Sequence, residues 1–251
     1  MQAGPRGTRG SSSPAPGVWT QLIWCRGERL RALYHLGEWE ELGQEAAEVL
    51  GWVEERGGGQ LAVFAHVELA QLLVHRGELA LAAEHVDALL PWARESGDPQ
   101  VLVPGLTAAA LVAWRGANDR DALELVREIE EKTRKEGGWR SASLTWPARI
   151  ATASGWFELL DLFLDGSEQA SAWDSCARPA ALAGLAEARG QLEEAGELYR
   201  RAADRWAEFG SVVEQAYALL GLGRCGNARA SLQGEAIFAS LGASPVVAKA
   251  A

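Results

Sequence analysis

Apolar residues recur along this chain at steps of three and four, the spacing that lays them on one face of an α-helix. Residues 191–209 show it most clearly. Leu192, Ala195, Leu198, Tyr199, Ala202, Trp206 and Phe209 share one stripe, and Glu193, Glu197, Arg201 and Arg205 stand opposite, four residues apart. Residues 119–136 repeat the arrangement, with Glu128/Lys132, Glu130/Arg134 and Glu131/Lys135 reading as solvated ion pairs. No stretch of useful length alternates apolar and polar positions as a half-buried strand does. The pattern predicts an all-α protein.

Glycines divide the helical runs. One set, Gly37, Gly77, Gly116, Gly155, Gly190 and Gly226, recurs at spacings of 40, 39, 39, 35 and 36 residues, each leading into an amphipathic helix start. A second set, Gly57, Gly97, Gly137, Gly210 and Gly242, falls between them where helical runs end. Glycine adopts the left-handed conformation that closes a helix, so two stops per period mean two helices per repeat. The predicted hairpins are 17–36/38–56, 58–76/78–96, 98–115/117–136, 139–154/156–172, 175–189/191–209 and 211–225/227–241, the fourth being the least regular, with a stop near Asp165. Asp98-Pro99 reads as an N-cap followed by proline at the first helical position. Pro91 and Pro104 sit inside helical patterns and are expected to bend or shorten them. Residues 1–16, rich in Gly, Pro and Ser, read as a disordered leader. Residues 17–243 form the repeat domain, and 244–251 a flexible tail.

Composition removes several classes of function. The 251 residues carry 34 acidic against 24 basic side chains, a formal charge of −10, and Lys132, Lys135 and Lys249 are the only lysines. This is the wrong balance for nucleic-acid binding or a polybasic membrane anchor. The longest apolar run, Val101–Trp114, is too short and too interrupted to span a bilayer, which takes about 20 residues. Cys25, Cys176 and Cys225 are sparse and odd in number, which fits a reducing compartment and a cytoplasmic location.

Catalytic and cofactor signatures are weak. Gly221-Leu-Gly223-Arg-Cys-Gly226 satisfies the dinucleotide fingerprint literally, but the residues before it read as helix rather than strand, so helix packing plus a turn is the expected role. Gly57-Gly58-Gly59 lacks the lysine of a phosphate-binding loop. His35, His66, His75 and His85 show no ligand spacing for a metal. Carboxylates fall in charge-paired rows, and none reads as an isolated acid in an apolar setting that would tune it for proton transfer. The expectation is a protein that is not an enzyme and needs no cofactor or metal.

Leu182-Ala183, Gly190, Ala195, Tyr199 and Ala202 resemble the tetratricopeptide pattern, and Leu69-Ala70, Gly77 and Ala82 match it a second time. The stretch from Tyr217 to Cys225, followed by Glu235 to Ala243, is similar to the closing repeat of degenerate tetratricopeptide arrays in large bacterial regulators. There such arrays accompany ATPase, cyclase or helix-turn-helix modules. The resemblance implies a TPR-like α-α superhelix of about six helical hairpins whose first helices line a concave side. In that frame Trp24, Arg31, Tyr34, Phe64, Gln71, Thr145 and Arg149 face the groove and bind a partner, although Trp24 and Phe64 also suit packing between hairpins. Trp156, Phe157, Leu160 and Phe163 lie on a helix apolar nearly all round, expected to be covered either by residues 139–150 or by a second copy in a homodimer. The implied function is a non-enzymatic protein–protein interaction scaffold from a bacterial signalling or transcriptional regulator, bound to a protein or peptide or to an ATPase or cyclase head encoded upstream. The alternative is a sensor module that holds a short peptide or small ligand in the groove.

Overall fold

The computed structural model describes residues 16–56, 59–135, 137–165 and 171–246. The expected leader therefore lies outside the described residues except for Pro16, as does Gly57. The described residues are helical throughout, with no strand. In chain order the helices are α1 (Pro16–Leu36), α2 (Trp39–Arg56), α3 (Gly59–Arg76), α4 (Leu79–Ser96), α5 (Pro99–Arg115), α6 (Asp119–Thr133) and α7 (Gly137–Ala142). They continue as α8 (Thr145–Ala153), α9 (Phe157–Leu164), α10 (Ala172–Ala188), α11 (Leu192–Phe209), α12 (Val212–Arg224) and α13 (Ala228–Ser240). Helix ends fall within a few residues of the predicted ones, because the signals that set them are local.

Asp98 caps α5 by accepting the Gln100 amide at 3.0 Å, with Pro99 in the first turn. Ser171 and Asp174 form a reciprocal capping box on α10, which places the boundary that the pattern left blurred. Gly37, Gly77, Gly155, Gly190 and Gly226 take φ between +74° and +99° inside the hairpins. The third hairpin differs. Gly116 stays right-handed at φ −72°, and Ala117 takes the left-handed position at φ 60° instead.

Proline accounts for the largest departure. The single helix expected over 139–154 is two, α7 and α8, broken at Ser143-Leu144. Pro147 has no N–H for the Ser143 carbonyl and its ring would clash there, so the helix restarts with Pro147 in its first turn, where proline is tolerated. Pro91, Pro104 and Pro179 are absorbed inside continuous helices. Arg205 of α11 donates to the Ser175 carbonyl that Pro179 leaves free. Pro91 and Pro104 thus end neither helix.

Each hairpin packs as an antiparallel pair, and the first helices of successive hairpins also touch: α1 on α3, α3 on α5, α5 on α8, α8 on α10, α10 on α12. The series then closes, because α12 packs on α1. His35 Nδ1 lies 3.1 Å from Ser211 Oγ across that seam, and a Cβ on Gly37 would come within 2.8 Å of Leu241 and Val212. The expected flexible tail reinforces the closure where it is described. The Ser244 amide donates to the His75 carbonyl at 3.0 Å, and the Val246 amide to the Tyr217 hydroxyl at 2.9 Å, with Val246 buried.

The apolar helix α9 is covered within the chain, by α6, α8 and α10. Leu160 and Phe163 are 0% exposed, and Trp156 and Phe157 are half-buried. Leu160 and Phe163, expected at an apolar interface, are therefore core residues that touch no free surface. Behind them Arg140 donates to Glu130 Oε1 at 2.8 Å and to the Leu162 carbonyl at 2.6 Å, tying α6, α7 and α9 together. The hydrogen bond from Arg134, with the second from Arg140, holds the Glu130 carboxyl below its usual range despite burial. Of the other two predicted pairs on α6, Glu128 reaches across to Arg94 of α4 at 2.6 Å instead.

Candidate functional site

Helices that ring a centre turn one face of each toward it, and what those faces carry decides what the centre is. Here α1 contributes Trp24, Glu28, Arg31 and His35, and α3 contributes Phe64, Val67, Glu68 and Gln71. Val103 and Thr107 of α5, Trp139 of α7, Thr145 and Trp146 of α8, Trp173 of α10 and Glu214 of α12 complete the wall. Between them lies a partly open cavity in which the centre of a water-sized sphere can range over about 100 Å³. Most of the lining surface is apolar, much of it aromatic, with polar and charged side chains interspersed, as in a small-molecule site.

Five of the seven residues expected to face a groove line this cavity: Trp24, Arg31, Phe64, Gln71 and Thr145. Trp24 and Phe64 also pack on each other edge to face, centroids 5.2 Å apart. A Cβ on Gly27 would lie 2.6 Å from the Phe64 ring, so the glycine lets that ring sit against α1. Gln71 bridges two walls, accepting from Trp146 Nε1 at 2.9 Å and donating to Glu68 Oε2 at 3.2 Å.

Arg149 stands behind the wall. Its guanidinium lies 4.0 Å from the Tyr217 ring centroid and 4.9 Å from that of Trp146, and it is ion-paired with Glu214. Tyr34 is not a groove residue. It is 1% exposed, its hydroxyl 3.1 Å from His75 Nε2 and its carbonyl accepting the Trp39 indole at 2.9 Å. Tyr34 directly precedes the cavity-facing His35, and a step of one residue turns a side chain about 100° around the helix, off the cavity face and into the packed interior.

The electrostatics of the wall were not visible in the sequence. Glu68 is 5% exposed and makes no ion pair among the described residues. Burial pushes its carboxyl from 4.5 up to about 7, and the nearby Arg31 charge only partly opposes this. Glu214 is likewise buried, at the N-terminal end of α12. Glu68 corrects the expectation that no isolated carboxylate stands in an apolar setting, whereas Glu214 is paired with Arg149. Glu68 sits between Val67 and Leu69 on α3, whose outer side is also covered, so the helix carries no charged row to reveal it.

Burial also sets the histidines. His35 and His75 are held neutral, each lowered to about 3 by desolvation with the Arg31 or Arg149 charge adding to it. His75 donates from Nδ1 to the Ser244 carbonyl at 3.3 Å, which leaves Nε2 to accept from Tyr34. It is a structural hub. His66 of α3 and His85 of α4 meet with Nδ1 atoms 2.8 Å apart, a pairing that their separation of 19 residues did not signal. Two histidines alone do not make a site, and among the described residues no group of three or more His, Cys, Asp or Glu is placed to hold a metal ion.

The glycine fingerprint resolves into packing. Gly221 and Gly223 lie within α12, where a Cβ would meet the Tyr199 ring at 2.4 Å and Ser231 of α13 at 2.7 Å, and Gly226 makes the turn at φ +99°. Among the described residues no helix is long and apolar enough to cross a membrane. No protein-family model matches the chain, and no curated protein matches it in sequence.

Proposed function

We propose that this chain is a non-enzymatic, TPR-like sensor module of six helical hairpins that holds a small ligand, or the end of a short peptide, between its inner helices. The observation that carries the reading is the contact of α12 with α1. With that seam closed, the faces that would form an open groove surround one shared, partly open cavity. A cavity of that kind suits a ligand of metabolite size and gives a folded partner no long surface to grip. The small residues of the matched repeats support the tetratricopeptide likeness. Ala70, Ala82, Ala183, Ala195 and Ala202 are all fully buried where paired helices approach. A place in a bacterial signalling or transcriptional regulator, with a protein partner reading out the liganded state, follows from that likeness.

The cavity holds four tryptophans, Trp24, Trp139, Trp146 and Trp173, so occupancy is readable by intrinsic fluorescence. The test is a thermal-shift and fluorescence screen of metabolites and short peptides. A ligand at one hundred times its Kd stabilises the folded state by about 2.7 kcal/mol through mass action. The expected result is a saturable rise in Tm with a tryptophan signal, both abolished by Trp24→Ala. Capture of a folded partner that survives Trp24→Ala, with no compound shifting Tm, would return the reading to an interaction scaffold.

A further inference from the structure

Resting on the ligand-binding reading above, we infer that the cavity selects an organic cation, a protonated amine on an apolar body, with Glu68 as its counter-charge. Two observations carry this independently of each other.

The first is the walls. Trp24, Phe64, Trp139, Trp146 and Trp173 surround the space from five helices, α1, α3, α7, α8 and α10. Aromatic faces carry negative electrostatic potential and attract ammonium and guanidinium groups, more strongly once water is excluded. The protein itself uses this attraction nearby, with Arg149 over Trp146 and Tyr217, and Arg31 5.8 Å from the Trp173 centroid.

The second is the charge balance. Four formally charged side chains line the cavity: Glu28, Arg31, Glu68 and Glu214. Glu214 is cancelled by its ion pair with Arg149. With Glu68 ionised, Glu28 and Glu68 face the single charge of Arg31, which leaves one negative charge in excess. Glu68 holds it in the costlier place. It is almost wholly buried, and its side chain accepts a hydrogen bond from the Gln71 amide but has no cation within ion-pair distance among the described residues. A buried carboxylate without a cation is expensive, and a ligand N–H that donates to it removes that expense.

A monovalent ammonium brings the cavity to neutrality, donates to Glu68 and lays its apolar body along the tryptophans. An anionic ligand meets the opposite field from Glu28, Glu68 and the ring faces, with Arg31 alone in its favour. A neutral ligand gains the apolar contact but leaves Glu68 as it was. The Glu68 carboxyl must be ionised to serve as the counter-charge, so ammonium binding expels the proton that burial retains near neutral pH. The groups that face it from neighbouring elements are Glu28 and Arg31 of α1, with Gln71 one turn along α3.

The experiment uses three probes of one shape: phenethylamine, 2-phenylethanol and 3-phenylpropionate. Each is titrated calorimetrically into the full chain and into Glu68→Gln near pH 8. The expected result is at least tenfold tighter binding of the amine than of the alcohol, and no measurable binding of the acid. In Glu68→Gln the amine falls to the level of the alcohol while alcohol binding is unchanged, which also reports that the cavity is intact. Equal binding of amine and alcohol by the wild-type chain, or an amine preference that survives in Glu68→Gln, overturns the charge assignment and leaves the cavity reading standing. Failure of all three probes to bind overturns both.

Discussion

Replacing Glu68 with glutamine should stabilise this protein, and by an amount that depends on pH. In the folded chain burial raises the carboxyl from 4.5 to about 7. The folded state therefore holds this proton more tightly than the unfolded state does. Below about pH 4.5 both states are protonated and the residue is neutral to stability. Between pH 4.5 and 7 the unfolded chain releases the proton and the folded chain does not, so stability falls as pH rises. Above 7 the deficit levels off. At about 1.4 kcal/mol per pH unit, the move from 4.5 to about 7 amounts to about 3 kcal/mol. Glutamine mimics the protonated form and can still accept from Gln71, so it avoids the loss. Near pH 8 the variant should be more stable by about 3 kcal/mol, which for a chain of this size is a rise in Tm of about 6–12 °C. The assay is urea unfolding followed by circular dichroism, wild type and variant side by side from about pH 5 to pH 8. A gap of the same size at both ends of that range, or a variant less stable near pH 8, would refute the reasoning, because neither follows from a buried carboxylate that lacks a cation.

The two buried histidines act in the opposite direction. Their values are depressed to about 3, so the stability they confer is present above pH 6.5 and is lost as pH falls toward 3; urea midpoints of Glu68→Gln, which lacks the opposing contribution, should fall steadily below pH 6.5 and not stay flat. Glu214→Ala strands Arg149 as an uncompensated buried charge and should cost about 3–5 kcal/mol in chemical unfolding, whereas a loss under 1 kcal/mol would mean that water reaches the guanidinium. Gly223→Ala puts a methyl 2.7 Å from Ser231 Cβ and 2.9 Å from its Cα, so α12 and α13 must part, at a cost of about 1–3 kcal/mol read as a lower Tm. Ala117→Gly should raise Tm, by about 0.5–1 kcal/mol of added stability, since it relieves a left-handed alanine at the price of some chain entropy; an unchanged or lower Tm contradicts it.

The elements of this fold are written locally. The stripe from Leu192 to Phe209, the cap at Asp98, and glycines such as Gly190 and Gly210 at positive φ each act through neighbours within a turn or two, so helices and hairpins could be drawn before any packing was known. The break at Ser143-Leu144 was also written there, in Pro147, but needed the missing N–H to be traced back four residues. The inner helix faces were legible as well. Counting from the turn glycines selected Trp24, Arg31, Phe64, Gln71 and Thr145, and those five come together in one cavity. What periodicity could not supply is how the helices are set against one another in space, because side-chain volumes at every interface set it together. That arrangement decides that α12 meets α1 and that Ser244 and Val246 dock instead of trailing free. It also decides the chemistry. Glu68, Glu214 and His75 are ordinary charged or titratable letters in the chain, and become a buried acid, a buried ion pair and a neutral hub only because the ring closes over them and takes their water away.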